Sequence, residues 1–263
     1  MVVFAGQGDV RRSMALLWRA EAADGVRTGP GPKPGLSVDM ILDAAIAVAD
    51  EVDMAGLSMR AVGERLGRTA MALYTYVPNK GELVDLMYDR TLGELPTEYD
   101  LAVGWRAALT TWAENVWSLY LRHPWVLQVS QVRPVLGPNE YVVLEALLRI
   151  LRETGLKGPV LRHVVGALFH FVRGAAQTVA ESRQAPTATG VSDEEWWFAR
   201  SALLREVAPD FAERFPMVTS LEADGAPRPE DDTKPYLEQE AEQLFDIGLD
   251  IILDGIAAAM ARA

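Results

Sequence analysis

The chain contains no cysteine, only three histidines, and no apolar run near the roughly 20 residues that a membrane-spanning helix requires. Without cysteine there is no disulfide and no thiolate metal site, a composition suited to a reducing compartment. Before Gly6 the N-terminus offers only Met1-Val-Val-Phe-Ala, too short for the apolar core of a signal peptide. The expectation is a soluble, cytoplasmic protein. No Ser-His-Asp set, paired carboxylates or glycine-rich phosphate loop stands out, and so few histidines leave little nucleophilic or metal chemistry. His163 and His170 lie about 10 Å apart along a helix axis, too far to share one ion. No catalytic residue, metal or cofactor is expected. Sustained period-2 alternation is also missing, so the fold expected is all-α.

What is present is apolar material and acid. About half of the 263 residues are apolar, enough for a substantial core, and the formal net charge is −12. Such acidity argues against nucleic acid as a partner. It is unevenly spread: between Ser58 and Lys80 the bases Arg60, Arg65, Arg68 and Lys80 stand against the single acid Glu64. A basic patch survives inside an acidic chain.

Residues 1–36 read as a flexible extension. Asp9 to Glu21 can form a short amphipathic helix through Met14, Leu17 and Trp18. The run Gly29-Pro-Gly-Pro-Lys-Pro-Gly35 then breaks regular structure, because proline disfavours helix at itself and at the residue before it. From Ser37 a helical period sets in, with Ile41, Ala44, Ala45, Val48 and Val52 on one face. Ser58 caps a second helix, stopped at Gly67, and Thr69 caps a third, Ala70 to Tyr76. Lys80 opens a fourth through Leu83, Leu86, Met87 and Leu92. Longer helical stretches follow at Ala102–His123, Pro138–Thr154, Pro159–Ser182 and Tyr236–Ala261. Shorter ones lie at Asp193–Val207 and Pro209–Phe215, and a polar loop at Ser220–Pro235. The organisation expected is an extension (1–36), a small helical domain (37–82) and a larger helical domain (83–263).

Met59–Leu66 and Ala70–Tyr76, joined across a glycine, have the form of a helix-turn-helix. In that motif the first helix braces across the DNA backbone while the second lies in the major groove. Two short helices around a glycine are common, so periodicity alone is weak. The full string from Leu57 to Met87, LSMRAVGERLGRTAMALYTYVPNKGELVDLM, is specific. It closely resembles the DNA-binding signature of the tetracycline-repressor (TetR) family, most diagnostically at Leu73-Tyr74-x-Tyr76-Val77-x-Asn79-Lys80-x-x-Leu83. The resemblance implies an N-terminal three-helix helix-turn-helix domain followed by a larger helical ligand-binding and dimerisation domain. It also implies a homodimeric transcriptional regulator, a repressor released from double-stranded operator DNA by a small-molecule effector.

Roles carry over where residues match. Tyr74 and Tyr76 resemble positions that pack on the sugar-phosphate backbone, and Lys80 a phosphate-contacting lysine beside a helix N-terminus. Arg60 resembles a position that reaches a base edge or phosphate; an arginine holding guanine in bidentate fashion is worth roughly 1–3 kcal/mol of discrimination. Ala70, Met71 and Ala72 stand where many relatives carry polar residues, and they offer only apolar contact. Direct readout then falls to Arg60 with Arg68 and Thr69, and DNA shape gains weight. Minor-groove entry by Arg27 and Lys33 is a weaker expectation than a free arm.

In the closing helix Leu237, Ala241, Leu244, Gly248, Ile251, Gly255 and Ala258 fall on one stripe, whose small residues allow close helix approach. An ordinary core face has the same pattern. The resemblance favours a homodimer seam made by the 236–261 and 159–182 helices. On the latter, His163, His170 and Gln177 share a side among small residues, either lining a cavity or forming a pairing face. Trp112, Trp117, Tyr120 and Tyr141 add aromatic surface; such residues are more often core than pocket, yet effector sites are mostly apolar with a few placed polar groups. These seven are the candidate effector-binding residues, for an apolar or aromatic ligand.

Overall fold

The computed structural model describes residues 3–19, 35–223 and 236–262. Arg27, Lys33 and most of the Pro/Gly run lie outside them, as do residues 224–235 of the expected polar loop. Among the described residues the chain is helical, without a strand; one isolated β-bridge joins Val3 to Val129. The helices are α1 (Val10–Leu17), α2 (Val38–Gly56), α3 (Met59–Leu66), α4 (Ala70–Tyr74) and α5 (Lys80–Leu92), followed by α6 (Trp105–Arg122), α7 (Pro138–Arg152) and α8 (Gly158–Thr189). Then come α9 (Asp193–Val207), α10 (Phe211–Arg214), α11 (Pro216–Ala223) and α12 (Tyr236–Met260). A 3-10 turn at Pro124–Gln128 follows α6.

Local chemistry sets the early boundaries. Ser37, Ser58, Thr69 and Asn79 each turn a side-chain oxygen onto a first-turn amide of the helix they precede. Gly67 ends α3 with φ 63°, where a side chain would be strained. Two expectations shift. Helix α4 stops at Tyr74 rather than Tyr76, and the amides of Tyr76 and Val77 both fold onto the Leu73 carbonyl, because Val77 precedes Pro78 and avoids helical geometry. Val52 is exposed rather than inward, since the last turn of α2 is broken at Asp53 (φ 62°, ψ 175°).

Packing divides the chain into two units, residues 1–169 with 256–263, and residues 170–255. In the second, Phe171 stacks on Phe245 at 6.0 Å and also closes on Gly248, where an added Cβ would lie 2.6 Å from its ring. Ala241, Phe245, Leu249 and Leu253 are buried while Leu244, Ile247 and Ile251 are exposed. Ala241 and Gly248, expected on the open stripe, thus face inward, and the exposed apolar stripe of α12 runs through Leu244, Ile247 and Ile251.

In the first unit Ile41, Ala45, Val48, Val62, Leu73, Val77, Leu83 and Met87 form a shared core of α2 to α5. The residues expected as a free extension are packed here over 3–19: Ala5 and Leu17 are buried, and α1 lies on α5. The amphipathic period of α1 and the apolar start of the chain supply the reason.

Helix α5 is buried almost all round, and its acids with it: Glu82, Asp85, Asp89 and also Thr91 are at most 4 % exposed. Each carboxylate must be answered or it costs several kcal/mol. Asp85 accepts the Gly6 amide with both oxygens, at 3.0 and 3.2 Å. Asp89 accepts the Glu140 amide and the Asn139 side chain, both at 3.0 Å. It thereby caps α7 from another helix, where the local N-cap, Gly137, has no side chain to do so. An added Cβ on Gly137 would strike the Asp89 side chain.

Burial raises the Asp85 carboxyl from 3.8 to about 6, against the Gly6 hydrogen bond that lowers it and with help from the neighbouring charge of Glu82. The folded protein therefore holds this proton more tightly than the unfolded chain does. The associated stabilisation is fully present below pH 3.8 and is lost as pH rises through about 6. Asp85→Asn is expected to be near neutral at pH 3.5, below both values, and to stabilise the protein by on the order of 2–3 kcal/mol at pH 7.5. Denaturant unfolding of both proteins at the two pH values measures this; an equal effect at both would contradict it.

Candidate nucleic-acid and effector sites

The turn between α3 and α4 is built on a close approach. The Gly63 amide region packs so tightly beneath the turn that an added Cβ would lie 2.7 Å from the Arg68 carbonyl oxygen, and the Arg68 amide donates to the Gly63 carbonyl at 2.8 Å. Gly63 was inside the diagnostic string but unmarked. Its signal is a glycine interrupting an otherwise good helix.

This turn sets what α3 and α4 show to solvent. Arg60 stands out from the first turn of α3, its side chain 85 % exposed and paired with Glu64 at 3.1 Å. Such a surface pair is worth little and yields readily to a phosphate or base. Thr69 is spent as the cap of α4, and Arg68 donates to the Gly35 carbonyl at 3.1 Å. On α4 Met71 is 74 % exposed, with Tyr74 and Tyr76 beyond it also exposed, while Ala70 and Ala72 are half-buried. Lys80 donates to the Met54 carbonyl at 3.2 Å. An ammonium has three donors, so two stay available for a phosphate. Arg60, Met71, Tyr74 and Tyr76 form one exposed surface; Arg68 and Thr69 are held at its edge by local bonds.

Behind this surface α2 is clasped by the 3-10 turn. Asp50 accepts Trp125 Nε1 at 2.9 Å and faces His123 Nδ1 at 2.8 Å, while the other imidazole nitrogen faces Glu94 at 3.3 Å. Gln128 Nε2 donates to both oxygens of Asp53 at 2.6 and 2.7 Å, at the residue that breaks α2. Asp50, Asp53, His123, Trp125 and Gln128 escaped sequence reading because the two acids are more than 70 positions from their partners. A cleft of about 530 Å³ opens beside the clasp, lined by Asp43, Ile46, Ala47, Asp50, Arg90, Gly93, Glu94 and Asn139. None of the expected effector residues borders it.

Those residues fall into separate environments. Trp112, Trp117 and Tyr120 are buried on α6. Trp112 meets Phe169 edge-on at 5.2 Å, and its indole N–H has no hydrogen-bond partner among the described residues. Tyr120 accepts from Gln131 at 3.1 Å. Tyr141 is exposed and lies against Trp18. His163 is exposed and faces the Pro159 carbonyl at 2.7 Å. His170 and Gln177, in the second unit, are exposed as well, Gln177 donating to Glu181. The three α6 aromatics are packed in the interior, whereas His163, His170 and Gln177 are exposed. No group of metal-binding side chains occurs among the described residues, and none of their helices is long and apolar enough to cross a membrane.

Comparison with known proteins agrees with this geometry. Residues 41–87 match the family described as bacterial regulatory proteins, tetR family, and residues 100–260 match the tetracyclin repressor-like C-terminal domain. The chain is 39 % identical over 259 residues to the HTH-type transcriptional repressor DrrR1 of Streptomyces coeruleorubidus, covering 98 % of this chain and 89 % of that one. It is 27 % identical over 164 residues to the class D tetracycline repressor protein of Escherichia coli, covering 61 % and 74 %. Among solved structures, the Streptomyces coelicolor TetR family protein ActR in complex with actinorhodin superposes with a TM-score of 0.66 at 26 % identity, covering 88 % of this chain and 99 % of that one.

Because the obstacle at Gly63 is backbone, Gly63→Ala cannot be absorbed by a rotamer change and is expected to cost roughly 1–3 kcal/mol. Thermal unfolding should show this loss as a lowered midpoint; an unchanged midpoint would contradict it.

Proposed function

The chain belongs to the tetracycline-repressor family of bacterial regulators, and from that premise we infer that it is a homodimeric transcriptional repressor released from operator DNA by a small-molecule effector. The observation that carries the inference is the exposed surface of Arg60, Met71, Tyr74 and Tyr76 over a turn that only glycine at 63 permits. The net negative charge of the chain is compatible with this, because only the 58–80 patch needs to meet phosphate. No catalytic residue is assigned, and the protein acts in the cytoplasm, where its operator lies.

Tyr74 and Tyr76 are assigned to the sugar-phosphate backbone, Lys80 to a phosphate, and Arg60 to a base edge, with Ala70, Met71 and Ala72 giving apolar contact to the groove. Homodimerisation is assigned to α8 and α12. In the second unit the exposed Leu244, Ile247 and Ile251 of α12 support it, as do His170 and Gly174 on an open face of α8. Effector binding is assigned to the aromatic wall of Trp112, Trp117 and Tyr120, which favours an apolar or aromatic molecule. ActR solved with actinorhodin supports a ligand-binding role for this helical domain.

Mechanistically, ligand binding shifts a population of orientations of α5. Two recognition helices must reach major grooves about 34 Å apart, so a small change in their separation breaks register and releases DNA.

Selection of bound duplexes from a random pool tests the central claim. A two-fold symmetric site should emerge, with affinity that falls steeply with salt. Lys80→Ala and Tyr74→Ala should weaken binding at least ten-fold on any sequence, and Arg60→Ala should relax preference at one base pair by roughly 1–3 kcal/mol. Failure to enrich any sequence would overturn the repressor reading. Separately, the double change of Ile247 and Ile251 to Glu should convert the dimer to monomer in sedimentation; an unchanged dimer would remove α12 from the seam.

A further inference from the structure

Residues 3–19 cross α5 like a belt and are fastened on both sides of it. On one side the Val3 amide donates to the Gln128 carbonyl at 2.9 Å and the Ser130 amide to the Val3 carbonyl at 2.7 Å. Ala5 is then buried at 2 % exposure, and Gly6, at φ 70°, turns its amide onto Asp85. Two residues on, Gly8 lies flat on α5: an added Cβ would sit 2.6 Å from Glu82 Cγ, and Glu82 is itself buried. Both glycines are needed, one for its backbone conformation and one for its lack of a side chain. On the far side α1 ends with Leu17 buried, Trp18 Nε1 donating to the Leu136 carbonyl at 3.0 Å, and the Trp18 ring 6.1 Å from Tyr141. Arg19 finally pairs with Asp39 on α2 at 2.8 Å.

We propose that residues 3–19 form an intramolecular strap that holds α5 against the 128–141 segment and so fixes the presentation of the helix-turn-helix for a two-site operator. The proposal rests on the operator-binding reading. The belt meets α5 in its first two turns, at Glu82 and Asp85, close to the end that Lys80 joins to α2. A free α5 samples more orientations, and apparent affinity falls by the fraction of molecules in the competent one. That cost applies to a duplex that must engage two recognition helices at fixed spacing. A single half-site, met by one helix-turn-helix, does not sense it.

The test uses the full chain and two variants that dislodge the strap without shortening it, Gly8→Val at the Glu82 crossing and Ala5→Asp at the buried anchor. Amide hydrogen exchange is followed in α5, with α8 residues 172–180 as an internal reference for folding. Affinity is measured for the symmetric duplex recovered from a random pool and for its isolated half-site. The strap predicts at least ten-fold faster exchange in α5, unchanged exchange in the reference, at least five-fold weaker binding of the symmetric duplex, and half-site binding within two-fold. Exchange in α5 that stays unchanged in both variants overturns the strap. Faster exchange with symmetric-duplex affinity within two-fold also overturns it, because α5 would be held without consequence for DNA. Absence of any DNA binding by the unaltered chain sinks the repressor reading and, with it, the role given to the strap, whereas the exchange data separately decide whether α5 is clamped.

Discussion

The first unit depends on one constraint: a helix with three acids in its interior must find a donor for each. α5 carries Glu82, Asp85 and Asp89 on faces that water does not reach, and a buried carboxylate without partners is far costlier than any contact it displaces. For two of them the donors come from parts of the chain remote in sequence: the Gly6 amide meets Asp85, and the first turn of α7 meets Asp89. Satisfying the charges of α5 is thus the same event as docking the strap and seating α7. One Glu82 oxygen has no partner among the described residues, so the arrangement is not fully relaxed. Burial also raises the Asp89 and Glu140 carboxyls from their ordinary values, so three acids along the path from α5 to α7 hold their protons more tightly than free carboxyls do.

The same helix explains how a DNA-reading surface can answer to events elsewhere in the unit. A rigid connection transmits motion only if both ends are fixed to something. At its beginning α5 is joined to α2 through Lys80 and the Met54 carbonyl, and α2 is in turn clasped by His123, Trp125 and Gln128 at the end of α6. Asp53 sits at the centre of that clasp in a backbone region that non-glycine residues rarely occupy. The strain there is balanced by two short bonds from Gln128. A displacement of α6 would act on α2 and α5 together, and α6 is the helix that carries the buried tryptophans.

The helical fold and the helix-turn-helix were readable from residues because both are local. Caps at Ser37, Ser58, Thr69 and Asn79, the stop at Gly67 and the 3.6-residue period act within a few positions, and the structure places them where the period demands. Long-range facts were not readable. Nothing near Asp85 announces that Gly6 will meet it, and Gly137 reads as an ordinary breaker until Asp89 is seen occupying its missing Cβ. Val52 continues an apolar stripe and is nonetheless exposed, since α2 breaks at Asp53, the residue that Gln128 holds from 75 positions away. The stripe of α12 was one step off in rotation for a similar reason: Phe171, from another helix, decides that Gly248 faces inward.

The chemistry of the exposed surface also narrows how sequence can be read in DNA. Of the residues on α3 and α4, Thr69 is committed to its cap and Arg68 to the Gly35 carbonyl, and Met71 offers no hydrogen bond. Arg60, held only by a surface pair with Glu64, is the one long donor of this surface free to be redirected among the described residues. With Arg60 as the proposed base-reading residue, a single arginine distinguishes few base pairs, which leaves groove shape, methyl contacts and the spacing between two half-sites to supply the rest. Spacing is a property of the dimer and of whatever holds α5 steady. A reader poor in hydrogen-bonding side chains depends more than a rich one on the stiffness of its linking helix, and that is the property the proposed strap would supply.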